Sequence, residues 1–373
     1  MKGSETARPT ARTAQRSAWE LADLIRPLRH SSPKRRSKKP LPPFAADVVA
    51  WVHERRFATG QQIAKRFPEW FTSQRTTQRR LAEWVAAGVL NLATVRGTCP
   101  IFPHVYVATS RGIRLVQESR EGSEWPSHPV EQNKPRGRAI ISVLHKVMAT
   151  EFELMVEQTI AARPDLQLLM SERRYNRRKH RLKYEQDGKI CFVEPDIGLL
   201  VAGERTVPIL MFVEIDAGTI PVRRIYNQKL ERYHQWLESE ESDKYLDGIR
   251  ERYRLENCPS VRWLWVANDK DIAGRDEKRL VDVLTEALQL PTMTRERLWL
   301  TTASGISPSQ QDSATLTAPI WVRARHARPW IRTFWDTTNS LKGSAARKAK
   351  QREFVRQRVM GMPRRSLFWQ MKN

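Results

Sequence analysis

The sequence predicts an α+β protein with two folded bodies and a basic tail at either end. The first body is small and helical, closed by a β-hairpin; the second is larger, with helices flanking a mixed sheet. Three observations carry this. The chain has 373 residues, where a domain usually takes roughly 100 to 200. Apolar periodicity is helical up to Gly88, then short β-prone runs appear and later alternate with helical ones. The net charge of +24 is segregated: residues 1–43 carry +8, residues 320–373 carry +12, and only +4 is left for 44–319. Such an excess points to a polyanionic partner, either nucleic acid or an anionic membrane surface. Hydrophobic residues make up 40% of the chain, with 13 Trp among them. That is enough for packed cores and excludes a wholly disordered basic chain.

Residues 1–43 read as a solvated, disordered basic arm ending in Pro33-Lys34-Arg35-Arg36-Ser37-Lys38-Lys39-Pro40. Within it, 18–28 has the spacing of a short amphipathic helix. The arm serves either as a contact to the DNA backbone or as a solubilising tail. Over 44–118, Val48, Val49, Val52 and Phe57 form the first helical stripe, and Thr59 stands as N-cap to a second helix at Gln61–Phe67. Thr72 or Ser73 opens a third, which buries Leu81, Trp84 and Val85 and stops at Gly88. Two β-prone runs follow, Val89–Val95 and His104–Thr109, around a loop carrying Arg96. Three helices and a β-hairpin make a winged helix-turn-helix. Residues 119–138, rich in Gly, Ser, Pro and charge, read as a linker.

From 139 to 305 the expected elements are a helix at Ile140–Ile160 and strands at Leu166–Met170, Cys191–Val201 and Val207–Ile215. A helix at Val222–Leu237, a strand at Val261–Ala267, a helix at Asp276–Leu288 and a strand at Leu298–Thr302 complete the set. This order places a mixed sheet between helices. Residues 306–373 form a basic C-terminal extension, with a cationic helix expected at 345–360 that suits DNA, RNA or anionic lipid.

A recognition helix presents long polar side chains near its start, where they reach base edges in the major groove. The third helix offers Gln74, Arg75, Thr77, Gln78 and Arg79, with no acidic residue before Glu83. Gln suits adenine, Arg suits guanine, and Arg96 at the wing tip suits phosphate or a minor groove. The alternative is a winged helix used for protein contacts. Between two strands, the run Arg173–Arg181 includes Arg177 and Arg178 for phosphate and Tyr175 for stacking.

The sharpest cluster is acidic. Asp196 follows Glu194-Pro195 at the start of a strand, and Glu214 and Asp216, two apart on the next strand, share a face. If these strands pair, Asp196 and Glu214 converge as hard oxygen ligands for one Mg²⁺. In this αβββαβ setting, Pro195-Asp196 and Glu214 resemble the PD-(D/E)xK nuclease superfamily. More narrowly, the chain resembles the replication-relaxation family of bacterial plasmids and other mobile elements. That resemblance runs from about Phe44 to Thr302. It rests on the segment from Leu81 to Leu90, on Pro195-Asp196, and on Glu214-Ile215-Asp216-Ala217-Gly218-Thr219 followed by Lys229 and Tyr233. It implies a DNA-binding protein acting in plasmid replication or DNA relaxation, with double-stranded DNA and replication or mobilisation proteins as partners.

The nuclease resemblance implies catalytic roles for Asp196, Glu214, Asp216 and Lys229, with one departure. The superfamily places Lys two residues after the second acid, where this chain has Asp216. Lys229 on the following helix then supplies the ammonium, and Glu151, Glu153 or Glu172 add ligands. Alternatively the fold binds DNA without cutting it, with Asp216 paired to Arg223 or Arg224. A transcriptional repressor whose larger domain dimerises or senses a ligand also stays open.

Other chemistries lack their residues. Three cysteines far apart form no disulfide framework or CxxC knuckle, which fits a reducing cytoplasm. The eight His are scattered, no Walker A sequence occurs, and no Tyr with a His cluster marks a conjugative relaxase. The longest apolar run, around Ile209–Val213, is far short of the roughly 20 residues that span a bilayer, and the start lacks a signal core.

Overall fold

The computed structural model describes residues 29–31, 40–94, 104–120, 140–173, 181–203, 206–217, 222–267, 278–302 and 322–324. The protein is α+β with a mixed sheet, in two compact units divided between Thr150 and Glu151. That division lies inside one helix, α5 (Ile140–Ala161). Most of the linker at 119–138 lies outside the described residues, as do the 18–28 and 345–360 helices.

The first unit begins with β1 (Arg29–Ser31). It continues through α1 (Ala45–Arg55), β2 (Ala58–Thr59), α2 (Gly60–Arg66), α3 (Gln74–Ala86), β3 (Leu90–Thr94), β4 (Val105–Ala108) and α4 (Ser110–Ser119). Three helices and a hairpin thus follow in the expected order. α1 buries Val48, Val49 and Val52 completely, and Phe57 just beyond it, each contributing about 1.5–3 kcal/mol. Thr59 caps α2 in a reciprocal box: its Oγ1 accepts from Gln62 N–H at 3.1 Å while Gln62 Oε1 accepts from Thr59 N–H at 3.0 Å. That satisfies two otherwise orphaned donors. Gln62 Nε2 also donates 2.8 Å to the Val147 carbonyl, tying α2 to the first half of α5.

Gly88 ends α3 with φ of 74°, a conformation open to glycine without cost. Its N–H reaches the Val85 carbonyl and that of Val89 the Trp84 carbonyl, so the last carbonyls are satisfied in a Schellman arrangement. α4, which helical periodicity did not reveal, is capped by Thr109 and crosses close to β3. A Cβ on Gly112 would stand 2.3 Å from the Val89 carbonyl oxygen and 2.9 Å from Val49. The small sheet runs β1-β3-β4-β2. One correction falls here: Arg29–Ser31, expected in a disordered arm, pairs antiparallel with β3.

The second unit holds β5 (Leu166–Arg173), β6 (Leu182–Gln186), β7 (Lys189–Val193), β8 (Ile197–Gly203) and β9 (Thr206–Asp216). Next come α6 (Val222–Ile225), a π-helical turn at Tyr226–Leu230, α7 (Glu231–Leu237) and α8 (Glu240–Arg252). β10 (Ser260–Ala267), α9 (Lys278–Ala287), α10 (Thr292–Arg297), β11 (Leu298–Thr302) and β12 (Val322–Arg323) complete it. The main sheet has six strands in the order β12-β11-β10-β9-β8-β5. β5, β8 and β9 form an antiparallel meander, β9, β10 and β11 run parallel, and β12 closes the edge antiparallel. Parallel neighbours need crossovers; α6 to α8 make the first and α9 with α10 the second.

Three expectations are corrected in this unit. Cys191–Val201 is two strands rather than one: Glu194-Pro195-Asp196 breaks it, and its first half pairs with β6 in a separate two-stranded hairpin. The expected helix at Val222–Leu237 carries a π turn in its middle. Val322–Arg323, assigned to the tail, is a strand of the main sheet. On one face of the sheet Leu210, Phe212, Trp263, Trp265, Leu298 and Leu300 pack with Ile225, Tyr233, Trp236, Val283 and Leu284 in one core cluster. Leu199, Met211, Val213, Leu264 and Trp299 on the opposite face are buried as well. Period-two alternation puts Glu214 and Asp216 on the same face as Phe212.

Candidate functional site

β9 buries an unbroken apolar run from Ile209 to Val213, then ends in Glu214 and Asp216, each only 5% exposed. Charged groups survive such burial only when paired and hydrogen-bonded. Asp196 approaches from the neighbouring strand. The β8–β9 register pairs Ile197 with Val213, so Asp196, one residue earlier, stands beside Glu214. Its N–H donates 2.9 Å to the Val213 carbonyl, and its Oδ2 accepts from the Ile215 N–H at 3.0 Å. These two bonds clamp Asp196 across the backbone that carries Glu214.

Glu214 receives Lys229 on both oxygens, with Nζ 3.0 Å from Oε1 and 2.8 Å from Oε2. The Tyr233 hydroxyl donates to Oε1 at 2.7 Å. Lys229 and Tyr233 are four residues apart, so the helix sends both to one side, and Lys229 lies in the π turn, a feature frequent at functional sites. Burial pushes the Glu214 carboxyl above its ordinary value; Lys229 opposes this and the nearby Asp196 charge adds to it.

Asp216 is held separately. Arg279 in the first turn of α9 grips it bidentately, Nε to Oδ2 at 2.6 Å and Nη2 to Oδ1 at 3.1 Å, and Trp265 Nε1 donates to Oδ2 at 3.2 Å. Sequence proximity points to Arg223 or Arg224 as partners, and the structure shows Arg279 gripping Asp216. Arg224 is exposed, and the Arg223 side chain lies outside the described residues. The pairing with Arg279 spans 63 residues of sequence, and no spacing rule could have found it.

The structure therefore brings Asp196, Glu214 and Lys229 together and places Asp216 beside them, held by Arg279 and Trp265. Asp196 and Glu214 suit a hard cation such as Mg²⁺ as two carboxylate ligands. Among the described residues no group of three or more His, Cys, Asp or Glu side chains is placed to hold a metal. Glu151, Glu153 and Glu172 thus do not complete a three-acid cluster with them. Glu153 is buried and Glu151 half-buried on α5, and Glu172 lies on β5 opposite Gly198.

On α3, the N-cap Ser73 accepts from the Thr76 N–H at 3.2 Å. Gln74, Arg75, Gln78 and Arg79 are all exposed, forming a Gln stripe and an adjacent Arg stripe at i, i+4 spacing. Thr77 is a correction. It is 5% exposed, and its hydroxyl donates 2.9 Å to the Ser73 carbonyl, so it belongs to the buried stripe with Leu81 and Trp84. Arg80 is also turned inward, donating to the Trp70 carbonyl and lying over the Phe44 ring. Arg96, Arg177 and Arg178 lie outside the described residues.

Among the described residues, no helix is long and apolar enough to cross a membrane. No curated protein and no solved structure matches the chain. The family described as Replication-relaxation matches residues 49–250, more than half of the chain. The match runs from α1 through most of α8 and takes in Asp196, Glu214, Asp216, Lys229 and Tyr233. On that match the chain belongs to the replication-relaxation family.

Proposed function

We propose that the protein binds double-stranded DNA in the replication or relaxation of a plasmid or other mobile element, and processes it at the Asp196–Glu214–Lys229 centre. In this reading the first unit is a winged helix-turn-helix that docks α3 in the major groove. The second unit is a PD-(D/E)xK-like domain. One observation carries the proposal: Lys229 Nζ sits 2.8 and 3.0 Å from Glu214 beside Asp196. Two acids and a lysine converge even though position 216 is acidic, because the following helix delivers the ammonium.

Asp196 and Glu214 would hold Mg²⁺, which when bound supplies a water acidified for attack on a phosphodiester. Lys229 carries the positive charge that stabilises the attacked phosphate. Tyr233 and the Ile215 N–H fix the two carboxylates so that little reorganisation is needed. The Asp216–Arg279 pair favours a second reading, a nuclease-like fold that holds DNA without cutting it, since it turns the usual lysine position into a structural strut.

The two readings separate on supercoiled plasmid with Mg²⁺ or Mn²⁺. Nicking by the wild-type chain that is lost in Asp196→Ala is expected. Absence of nicking by the wild type, with DNA binding retained, leaves only the second reading. Duplex binding itself is tested by Arg75→Ala/Arg79→Ala, for which affinity should fall at least tenfold, at about 1–3 kcal/mol per base contact. Unchanged affinity removes α3 from the interface.

A further inference from the structure

The β6–β7 hairpin is the part of the second unit that neither the sheet nor the carboxylate centre requires. It forms its own two-stranded sheet. Leu182, Tyr184 and Val193 point inward and join the core. The opposite face keeps Ile190 and Phe192 in solvent, 59% and 38% exposed, two of only four large hydrophobic residues so exposed among the described residues. Large apolar side chains left together on a surface mark an interaction site.

What lies around Phe192 identifies the occupant. The Arg181 guanidinium stands 5.2 Å from the centroid of its ring, and Lys183 is its cross-strand partner. Arg181 also pairs with Glu194 at 2.7 Å. The stem of the hairpin is thereby fastened two residues before Asp196. In sequence, residues 173–183 hold seven Lys and Arg and no Asp or Glu. Net charge reverses along the hairpin: towards the tip Glu185, paired with Ile190, and Asp187 in the turn outnumber the single cation Lys189. A polyanion is accordingly favoured at the stem, where the aromatic ring is, and disfavoured at the tip. An exposed aromatic ring flanked by cations is the chemistry that holds an unpaired nucleic-acid strand, by stacking a base while the backbone follows the positive charge. A duplex has no unstacked base to offer such a ring.

We propose that the stem face of the β6–β7 hairpin, centred on Phe192 with Arg181 and Lys183, is a docking site for single-stranded DNA leading to the Asp196–Glu214 centre. This rests on the reading of the protein as DNA-binding and adds the form of the substrate: DNA locally opened at the second unit, with the duplex held by the first.

The test measures fluorescence anisotropy of a labelled single-stranded oligonucleotide and of a labelled duplex with full-length wild type, Phe192→Ala and Phe192→Trp. Phe192 is partly exposed and outside the buried core, so the substitutions leave folding intact, which circular dichroism checks. Phe192→Ala should weaken single-strand binding about tenfold or more and leave duplex binding within twofold of wild type, while Phe192→Trp restores the single-strand affinity. Single-strand affinity unchanged in Phe192→Ala overturns the hairpin site and leaves duplex binding by the first unit standing. Equal losses on both probes likewise overturn the assignment to an unpaired strand. Wild type that binds neither probe overturns the DNA-binding reading as well. A shift in oligomeric state of Phe192→Ala with unchanged DNA affinity assigns the face to a second copy of the chain and overturns the proposal.

Discussion

Lys229→Met should destabilise the second unit by about 3–5 kcal/mol near neutral pH, with the loss shrinking as the pH falls. Breaking a buried ion pair by removing one member costs this much because the other charge stays behind without its counter-charge. Glu214 is that charge, and Lys229 Nζ engages both of its oxygens. The pH dependence follows from the direction of the Glu214 shift. Its carboxyl titrates higher in the folded protein than the roughly 4.3 of an unfolded chain. Between those two values the folded state binds more protons than the unfolded state, so this group's contribution is fully present below the lower value and is lost as pH rises through the upper one. Lys229 is the largest influence holding that upper value down. Without it the window extends upward, and the penalty from a forced charge grows with pH. Urea midpoints of wild type and Lys229→Met at pH 5 and pH 8 should differ more at pH 8. A gap equal at both values would show that Glu214 is not the group left behind. Glu214→Gln/Lys229→Met should recover most of the loss, since a neutral pair leaves no buried charge.

The acid centre was readable in sequence wherever local rules determined it. Two-residue spacing put Glu214 and Asp216 on one face, and the apolar run before them showed that the face was buried. Pro195 marked the break that lets Asp196 enter at a strand end. Lys229 and Tyr233 were recognisable as one helix face through their i, i+4 spacing. On α3, Gly88 and the stripe at Leu81 and Trp84 set the helix end and phase; the same phase puts Thr77 four residues before Leu81, so its burial was legible but overridden by its polar type.

Other features depend on tertiary structure, or on a local signal that a stronger neighbouring pattern masks. Asp187-Gly188, with φ values of 50° and 72°, is a two-residue hairpin turn of the kind that matches strand twist. That pair alone marks β6–β7, yet the β-prone run from Cys191 reads as the start of a main-sheet strand rather than as the second arm of a separate hairpin. α8 carries Tyr245, Leu246 and Ile249 within an otherwise charged stretch, too sparse a stripe to outweigh its polarity. The π turn has no composition signature, because it is a change of hydrogen-bond register within residues that suit an α-helix equally well. Arg279 sits outside any motif and reaches Asp216 only because the second crossover returns α9 over the end of β9.

That last pair sets the second large effect. Arg279→Leu should cost about 3–5 kcal/mol, comparable to loss of Lys229, although Arg279 lies beyond the 49–250 family match. Its side chain is 9% exposed and that of Asp216 is 2% exposed, so neither charge can recover much hydration when the other is removed. Two guanidinium bonds to one carboxylate also fix orientation as well as charge. The consequence reaches the acid centre because Asp216 is two residues from Glu214 on the last turn of the strand's pleat. Freeing it loosens the end of β9, where Ile215 N–H holds Asp196. Asp216→Leu/Arg279→Leu should be markedly more stable than either single variant, because replacing both members with apolar groups removes the desolvation penalty along with the attraction. Thermal midpoints of the four proteins close the cycle. Additive losses would mean that the two residues act independently and that the pair is not a strut. If the coupling is present, the double variant also separates support from chemistry: it keeps the fold while leaving Asp196, Glu214 and Lys229 in place. Metal-dependent nicking that survives in it would assign the work of the site to those three residues, with Asp216 serving only to anchor the strand that carries them.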